Sequence, residues 1–238
     1  MDKKTRILGI IPARAGSKGI PHKNIRLLAD KPLIDYTIRS ALLSNQLDTI
    51  LVSSDCEETI NISRRYSRIE APFIRPKELA LDTTPTIAVI QHAVNYYNEN
   101  GQTFDYICLL QPTSPFREDN LIDKAIHRIL ETGADSLTTI RKVPAKYNPH
   151  WAFKMNEDQN FLSISTGEKN IIPRRQELPE AWYRDGKIYI ATIEQIQKGT
   201  LCGGKLVGFI NENEPDVNID TWEDWALAEK FLGYEFPY

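Results

Sequence analysis

The chain reads as an α/β protein built on a doubly wound, mostly parallel, Rossmann-like sheet that carries one inserted arm. Three observations predict this. Short runs of aliphatic and β-branched residues recur up to residue 140, apolar at successive positions as strands covered on both faces must be. Segments of helical periodicity separate them, and that alternation is what parallel strands require of their connections. After residue 142 the rhythm stops, and a stretch rich in proline, asparagine, tryptophan and charge takes over.

The elements follow in order. Arg6–Ile11 contains ILGII and stops at Pro12, which makes a first, fully buried strand. The polar, glycine-bearing stretch Ala13–Asn24 comes next, and Pro32–Ser44 then sets Leu33, Ile34, Ile38, Ala41 and Leu42 at helical spacing. Thr49–Ser53 is a second strand with Ser53, Ser54 and Asp55 at its carboxyl end. Glu57–Tyr66 reads as a helix, and Ile69–Ile74 includes a third short strand. Thr86–Tyr97 predicts a helix carrying Ile87, Ile90, His92, Ala93, Val94 and Tyr97 around its inward face. Tyr106–Leu110 is the fourth strand, and Leu121–Leu130 places Leu121, Ile122, Ala125, Ile126, Ile129 and Leu130 on one helical face. Ser136–Ile140 continues the sheet, which resumes at Lys187–Ala191 and Leu206–Ile210. A last helix begins after Asp220, with Thr221 and Asp224 as its capping pair and Trp225, Leu227, Ala228, Phe231 and Leu232 turned inward. Residues 1–238 are therefore expected to form one domain with 142–184 as an inserted arm. Within that arm Trp151, Phe153, Phe161, Ile164, Ile171 and Ile172 are too apolar for water, and burial against a second subunit would satisfy them.

Composition narrows the function. Hydrophobic residues make up 41% of the chain, enough for a packed core. A net charge of −3 gives no basic field for a nucleic-acid backbone, so an anionic ligand must be met by local charge. Cys56, Cys108 and Cys202 form no CxxC pair, and His22, His92, His127 and His150 lack zinc-ligand spacing. The N-terminal apolar run is too short for a signal sequence or membrane span, which leads to the expectation of a cytoplasmic enzyme.

In doubly wound sheets ligands sit over the carboxyl ends of the strands where the strand order reverses. That rule selects the loops after the first, second and fourth strands before any motif is consulted. The first of these, Ala13–Asn24, combines two glycines with Arg14, Lys18 and Lys23. Glycines let backbone N–H groups approach an anion, and the cations balance phosphate charge. It is neither GxxxxGK[ST] nor GxGxxG. Asp216, Asn218 and Asp220 stand at every second position of an extended segment and so share a face, where oxygen ligands suit magnesium.

The opening IPARAGSKGIPHKN resembles the signature loop of the acylneuraminate (CMP-sialic acid) cytidylyltransferases. The similarity continues through SSD at 53–55, PFIRPKELALDTTPT at 72–86, LLQPTSPFR at 109–117, RRQELP at 174–179, DGKIYI at 185–190 and NIDTWED at 218–224. This resemblance implies the sheet of nucleotide-diphospho-sugar transferases with a dimerisation arm. It also implies a catalytic set of Arg14, Lys23 and Asp220. Arg14 and Lys23 would hold the triphosphate, with Ala13, Gly16 and Ser17 beside them. Asn24, Arg75, Thr84 and Thr86 would surround cytosine and ribose, although a turn salt bridge is an alternative use of Arg75. Gln111, Thr113 and Tyr189 would hold the sugar, and Tyr189 fits a core position in its strand almost as well. Arg175 would reach the sugar carboxylate from the neighbouring subunit of a homodimer, by the bidentate pairing that lysine lacks.

The expected reaction is magnesium-dependent, in-line attack of the anomeric hydroxyl of an acidic sugar on the α-phosphorus of CTP, with pyrophosphate as leaving group. N-acetylneuraminate or a related nonulosonate is the expected acceptor. Legionaminate, pseudaminate or an octulosonate is the alternative, and a CTP-sensing module without turnover is the alternative from another class. Two departures from the family bear on this. Asn218 stands where an aspartate is usual, which leaves Asp220 as the main metal ligand. Asp185 stands where asparagine is frequent, and an acid there would either repel the substrate carboxylate or favour a differently substituted sugar.

Overall fold

The computed structural model describes residues 4–157 and 160–233, so residues 158 and 159 of the arm lie outside the described part. The chain runs through β1 (Ile7–Pro12), a small ladder of β2 (Leu27–Leu28) and β3 (Lys31–Pro32), and α1 (Leu33–Leu43). It continues through β4 (Thr49–Ser53), α2 (Glu57–Ser63), β5 (Ile69–Glu70), a 3-10 turn at Lys77–Leu79 and α3 (Thr86–Glu99). Then follow β6 (Tyr106–Leu110), α4 (Leu121–Thr132) and β7 (Ser136–Lys142). The arm contains β8 (Phe153–Met155) and β9 (Leu162–Ile164); β10 (Trp182–Thr192), α5 (Ile193–Gln197), β11 (Leu206–Ile210) and α6 (Trp222–Phe231) complete the fold.

The main sheet has the strand order β11-β7-β10-β6-β1-β4-β5. β1 pairs in parallel with both β4 and β6, and β5 extends the parallel set beyond β4. β10 runs antiparallel between β6 and β7, and β11 lies parallel to β7. The chain winds outward from β1 to β5, then returns to place β6 on the other side of β1. That reversal puts the ends of β1, β4 and β6 side by side, so the doubly wound, mostly parallel sheet expected from the sequence is present.

Alternation along β1 shows how both faces are covered. Ile7 and Ile11 enter a core with Ile34, Ile38 and Ala41 of α1 and with Ile122, Ala125, Ile126 and Ile129 of α4. Leu8 and Ile10 point the other way, into a core with Ile90, Ala93, Val94 and Tyr97 of α3 and Ile196 of α5. Burying one such aliphatic side chain contributes about 1.5–3 kcal/mol, and residues 7–11 of β1 carry no polar side chain on either face. No helix among the described residues is long and apolar enough to cross a membrane.

Several expectations need correction. Leu130, Leu227 and Phe231 are exposed, and Trp225 and Ala228 are the buried residues of α6. An inward face built on Leu227 and Phe231 assumed that α6 packs broadly on the sheet. It packs instead on a small separate cluster of Ile20, Leu28, Leu33, Val217 and Ile219. The strand expected at Lys187–Ala191 is longer, Trp182–Thr192, with an irregular register between Arg184 and Tyr189. The glycine within it hid that extension, since Gly186 adopts a positive φ of 79° there. The chain from Val143 to Ala181 leaves the sheet at the end of β7 and re-enters opposite it, where Trp182 pairs with Lys142.

Candidate active site

Loop 13–24 is fixed at both ends. The Ala13 amide donates to Ser53 O at 2.9 Å, and the Ala15 amide donates to Asp55 Oδ1 at 2.9 Å, which ties the loop to the end of β4. Asn24 is buried and its Nδ2 donates to Arg14 O at 2.9 Å, closing the loop on itself. His22 adopts a positive φ of 55°, and its carbonyl accepts from the Ile25 and Arg26 amides, both at 3.0 Å. Gly19 lies so close to the backbone carbonyl of Asp220 that a Cβ there would collide with it. Glycine is therefore required for this close approach between two segments far apart in sequence.

The segment that Gly19 touches is a strap along residues 216–220. Val217 and Ile219 are buried, whereas Asp216, Asn218 and Asp220 alternate with them on the exposed side, as their spacing predicts. The Ile219 amide donates to Thr113 O at 2.7 Å, which joins the strap to the loop after β6. Lys23 is buried and donates from Nζ to Ile219 O at 2.6 Å and to Asp220 Oδ1 at 2.9 Å. Asn218 Nδ2 donates to Asp220 Oδ2 at 3.0 Å. Thr221, not Asp220, caps α6: its Oγ1 accepts from the Asp224 amide, and Asp224 Oδ2 accepts from the Thr221 amide. The Asp220 side chain is left free of capping and 63% exposed toward the cleft.

These segments enclose a cleft of about 500 Å³, a size that accommodates small ligands. Arg14, Ser17, Lys23, Asn24, Arg75, Thr84, Thr86, Gln111, Thr113, Asn218 and Asp220 all line it. Ala13 and Gly16 belong to the same loop without lining the cleft, Ala13 buried beneath it and Gly16 exposed. Among the described residues Arg75 takes no part in a turn salt bridge. Its Nη2 donates to Ser53 O at 2.9 Å, its Nη1 lies 3.5 Å from Leu79 O, and its buried Nε has no partner among the described residues. Burial lowers its pKa, Asp55 opposes that shift, and Arg14 adds to it. An unpartnered donor of a buried cation at the cleft wall suits an anionic or carbonyl acceptor.

A second cleft adjoins the first, sharing Thr86, Gln111 and Asn218 with it, and Tyr189 and Asp185 lie in its wall. Tyr189 is both a core residue and a wall residue: it packs with Tyr97 and Ile196, and burial raises its pKa. Asp185 does not offer its carboxylate to this space. Oδ1 accepts from Thr139 Oγ1 and from the Lys187 amide, and Oδ2 accepts from Asn211 Nδ2 at 2.7 Å. Beside it Lys187, 1% exposed, pairs with Glu214, and burial lowers the Lys187 pKa despite that partner. Arg117 is pushed down to about 10 by burial. Its guanidinium clamps Gln111 O at 2.6 Å and Lys187 O at 3.0 Å, which holds the loop after β6 to β10.

Arg175 is the residue that the structure does not bring to the cleft. It is exposed on the arm and lines a separate hollow with Lys142, Asn148 and Pro179. The roles of two residues escaped the sequence reading. Gly19 owes its importance to a contact with a segment two hundred residues away, which spacing cannot reveal. Asp82 stands within the PFIRPKELALDTTPT stretch, so its position was marked, but nothing local showed that it meets Arg14 and Lys18.

Comparison with known proteins places this geometry. A family model described as cytidylyltransferase matches residues 8–206. The CMP-N,N'-diacetyllegionaminic acid synthase of Legionella pneumophila is 34% identical over 95% of this chain and 96% of its own length. The N-acylneuraminate cytidylyltransferase of Escherichia coli O18:K1:H7 is 31% identical over 94% of this chain, which spans 52% of that protein. Among solved structures, a CMP:2-keto-3-deoxy-manno-octonic acid synthetase complexed with CTP superposes with a TM-score of 0.70. That alignment covers 96% of this chain and 99% of the other at 14% identity, a likeness of fold. With a matching family model over most of its length and full-length relatives above 30% identity, the chain belongs to the cytidylyltransferase family.

Proposed function

We propose that this protein transfers the cytidylyl group of CTP to the anomeric hydroxyl of an acidic 2-keto sugar of the sialic-acid type, N-acetylneuraminate or a related nonulosonate, and releases pyrophosphate. The observation that carries this reading is the convergence of four cations and two carboxylates on one cleft over the ends of β1 and β6. Arg14, Lys18, Lys23 and Arg75 line it together with Asp82 and Asp220, and a second cleft adjoins it. Family membership supplies the reaction class, and relatives named for legionaminic acid and N-acylneuraminate supply the class of acceptor.

In this reading Arg14, Lys18 and Lys23 hold the phosphate chain and neutralise the charge that builds on departing pyrophosphate. Ser17 and the Ala13–Gly16 backbone flank it. Asn24, Arg75, Thr84 and Thr86 enclose cytosine and ribose. Gln111, Thr113 and Tyr189 orient the sugar so that its hydroxyl oxygen approaches the α-phosphorus opposite the leaving oxygen. No covalent nucleophile is called for. Asp220 presents an exposed carboxylate with Asn218 beside it, and among the described residues no cluster of three His, Cys, Asp or Glu side chains forms a closed metal cage. Magnesium needs only one or two carboxylates when it leans on substrate phosphates, so these residues fit it, with Asp220 as the main ligand and Asn218 the lesser one. When bound, the ion offsets phosphate charge.

The working unit in this reading is a homodimer with exchanged arms, in which the partner subunit's Arg175 meets the sugar carboxylate. Its support is the distance of Arg175 from its own cleft and the exposure of Tyr147, Phe153, Phe161 and Ile171 on the arm. A cytoplasmic setting rests on Cys56, Cys108 and Cys202, all free thiols.

Asp220→Asn is the test of the assignment. Pyrophosphate release with CTP, sugar and magnesium should fall roughly hundredfold, the scale of losing one charge-stabilising group, while the thermal midpoint stays put. Undiminished turnover would remove Asp220 from the mechanism.

A further inference from the structure

Asp82 lies in the segment between the Lys77–Leu79 turn and α3, across the cleft from loop 13–24. Its Oδ1 accepts from Arg14 Nη1, and its Oδ2 is 2.8 Å from Lys18 Nζ. The hydrogen bonds from Lys18 and Arg14 hold the Asp82 carboxyl below the usual carboxylate range. Arg14 and Lys18 are two of the three cations that the reading above gives to the phosphate chain. A carboxylate thus takes one donor nitrogen of each of them.

Two roles are open to such a group. A tether would orient Arg14 for the ligand, and a competitor would have to be displaced by it. The third cation shows what a tether looks like here: Lys23 is buried, and a backbone carbonyl holds it as well as Asp220. Asp82 differs. Its side chain is 35% exposed, Lys18 is 81% exposed, and the contact consists of ion pairs at the mouth of the cleft. Exposed pairs of this kind add little to stability and exchange readily for another anion. A phosphate oxygen that reaches both Arg14 and Lys18 carries the same sign of charge as Asp82 and needs the same donors, so the two cannot share them without repulsion.

We propose that Asp82 is a competing counter-ion for Arg14 and Lys18, which weakens the hold on pyrophosphate and promotes its departure after transfer. The inference rests on the cytidylyltransferase reading and adds a release step to it. When pyrophosphate leaves, Asp82 retakes both cations, so they are not left unbalanced. A ligand without the outer phosphates, such as CMP, does not reach this pair and feels no competition.

The experiment is calorimetric titration of wild type, Asp82→Asn and Asp82→Glu with inorganic pyrophosphate, with CMP and with CTP, each in magnesium at low and high salt. Asp82→Asn should bind pyrophosphate roughly fivefold more tightly than wild type at low salt, the scale of losing a pair of exposed ion pairs. Salt should shrink that gain, CMP affinity should not change, and Asp82→Glu should stay near wild type. Weaker or equal pyrophosphate binding by Asp82→Asn would overturn the proposal, the former in favour of a tether. Equal tightening of CMP would overturn it too, as a general field effect. If CTP binds but pyrophosphate affinity is unaltered, this proposal alone falls; if none of the three proteins binds CTP or pyrophosphate, the cytidylyltransferase reading falls with it.

Discussion

Asp185 shows how a side chain can be read correctly as unusual and still be misplaced by sequence alone. Its departure from the family pattern raised the case of an acid near the substrate carboxylate, yet its two oxygens accept from Thr139, Asn211 and the Lys187 amide behind the cleft wall. An asparagine there would turn an amide nitrogen toward at least one of these donors and leave a buried group without a partner. Asp185→Asn should therefore cost about 1–3 kcal/mol of stability. In a chain of this size that lowers the thermal midpoint by several degrees, readable in a melting curve. An unchanged midpoint together with altered sugar affinity would mean that the carboxylate faces the substrate after all. Lys23 and Asp220 make the complementary case: types and spacing marked both, but their pairing across the fold depends on Gly19 admitting the strap.

The strands that seat the cleft were legible because burial on both faces forces unbroken apolar runs, and ILGII, TILVS and YICLL each became a strand at the expected place. The capping pair Thr221 and Asp224 was legible for a different reason: a local geometry dictates its residue types. Helix faces were less so. Leu130, Leu227 and Phe231 fit helical periodicity but lie beyond the reach of the sheet, and periodicity cannot say how wide the buried stripe is. The ladder of β8 and β9 was hidden in the arm, where three-residue strands leave too little alternation to detect. This arm carries its own prediction. Phe161 is 73% exposed on it, and in an arm-exchanged dimer it would be covered. Phe161→Asp should shift sedimentation toward the monomer. In verified mixed dimers, Arg175→Ala and Lys23→Ala chains, each nearly inactive alone, should recover part of the activity together. Mixed dimers without recovery would argue against shared sites.

At the scale of the whole molecule, a net charge of −3 means that nothing global draws in a triphosphate. Attraction is local, and the topology supplies it. Winding outward to β5 and returning to β6 opens a crevice beside β1, into which loop 13–24, the loop after β6 and the strap all turn their polar groups. The antiparallel β10 then adds the second cleft at the same end, with Arg117 locking β10 to the Gln111 loop so that the two clefts keep a fixed relation. In the proposed reaction one sheet would thus set nucleotide and acceptor side by side, the arrangement that in-line transfer needs.

Pyrophosphate release with magnesium and CTP, measured against N-acetylneuraminate, legionaminate, pseudaminate and the octulosonate, tests this account most directly. Turnover that requires CTP and one of these acidic sugars is the predicted result, with a nonulosonate preferred. CTP binding without release on any of them would contradict it, and would leave the cleft as a site that senses the nucleotide without using it.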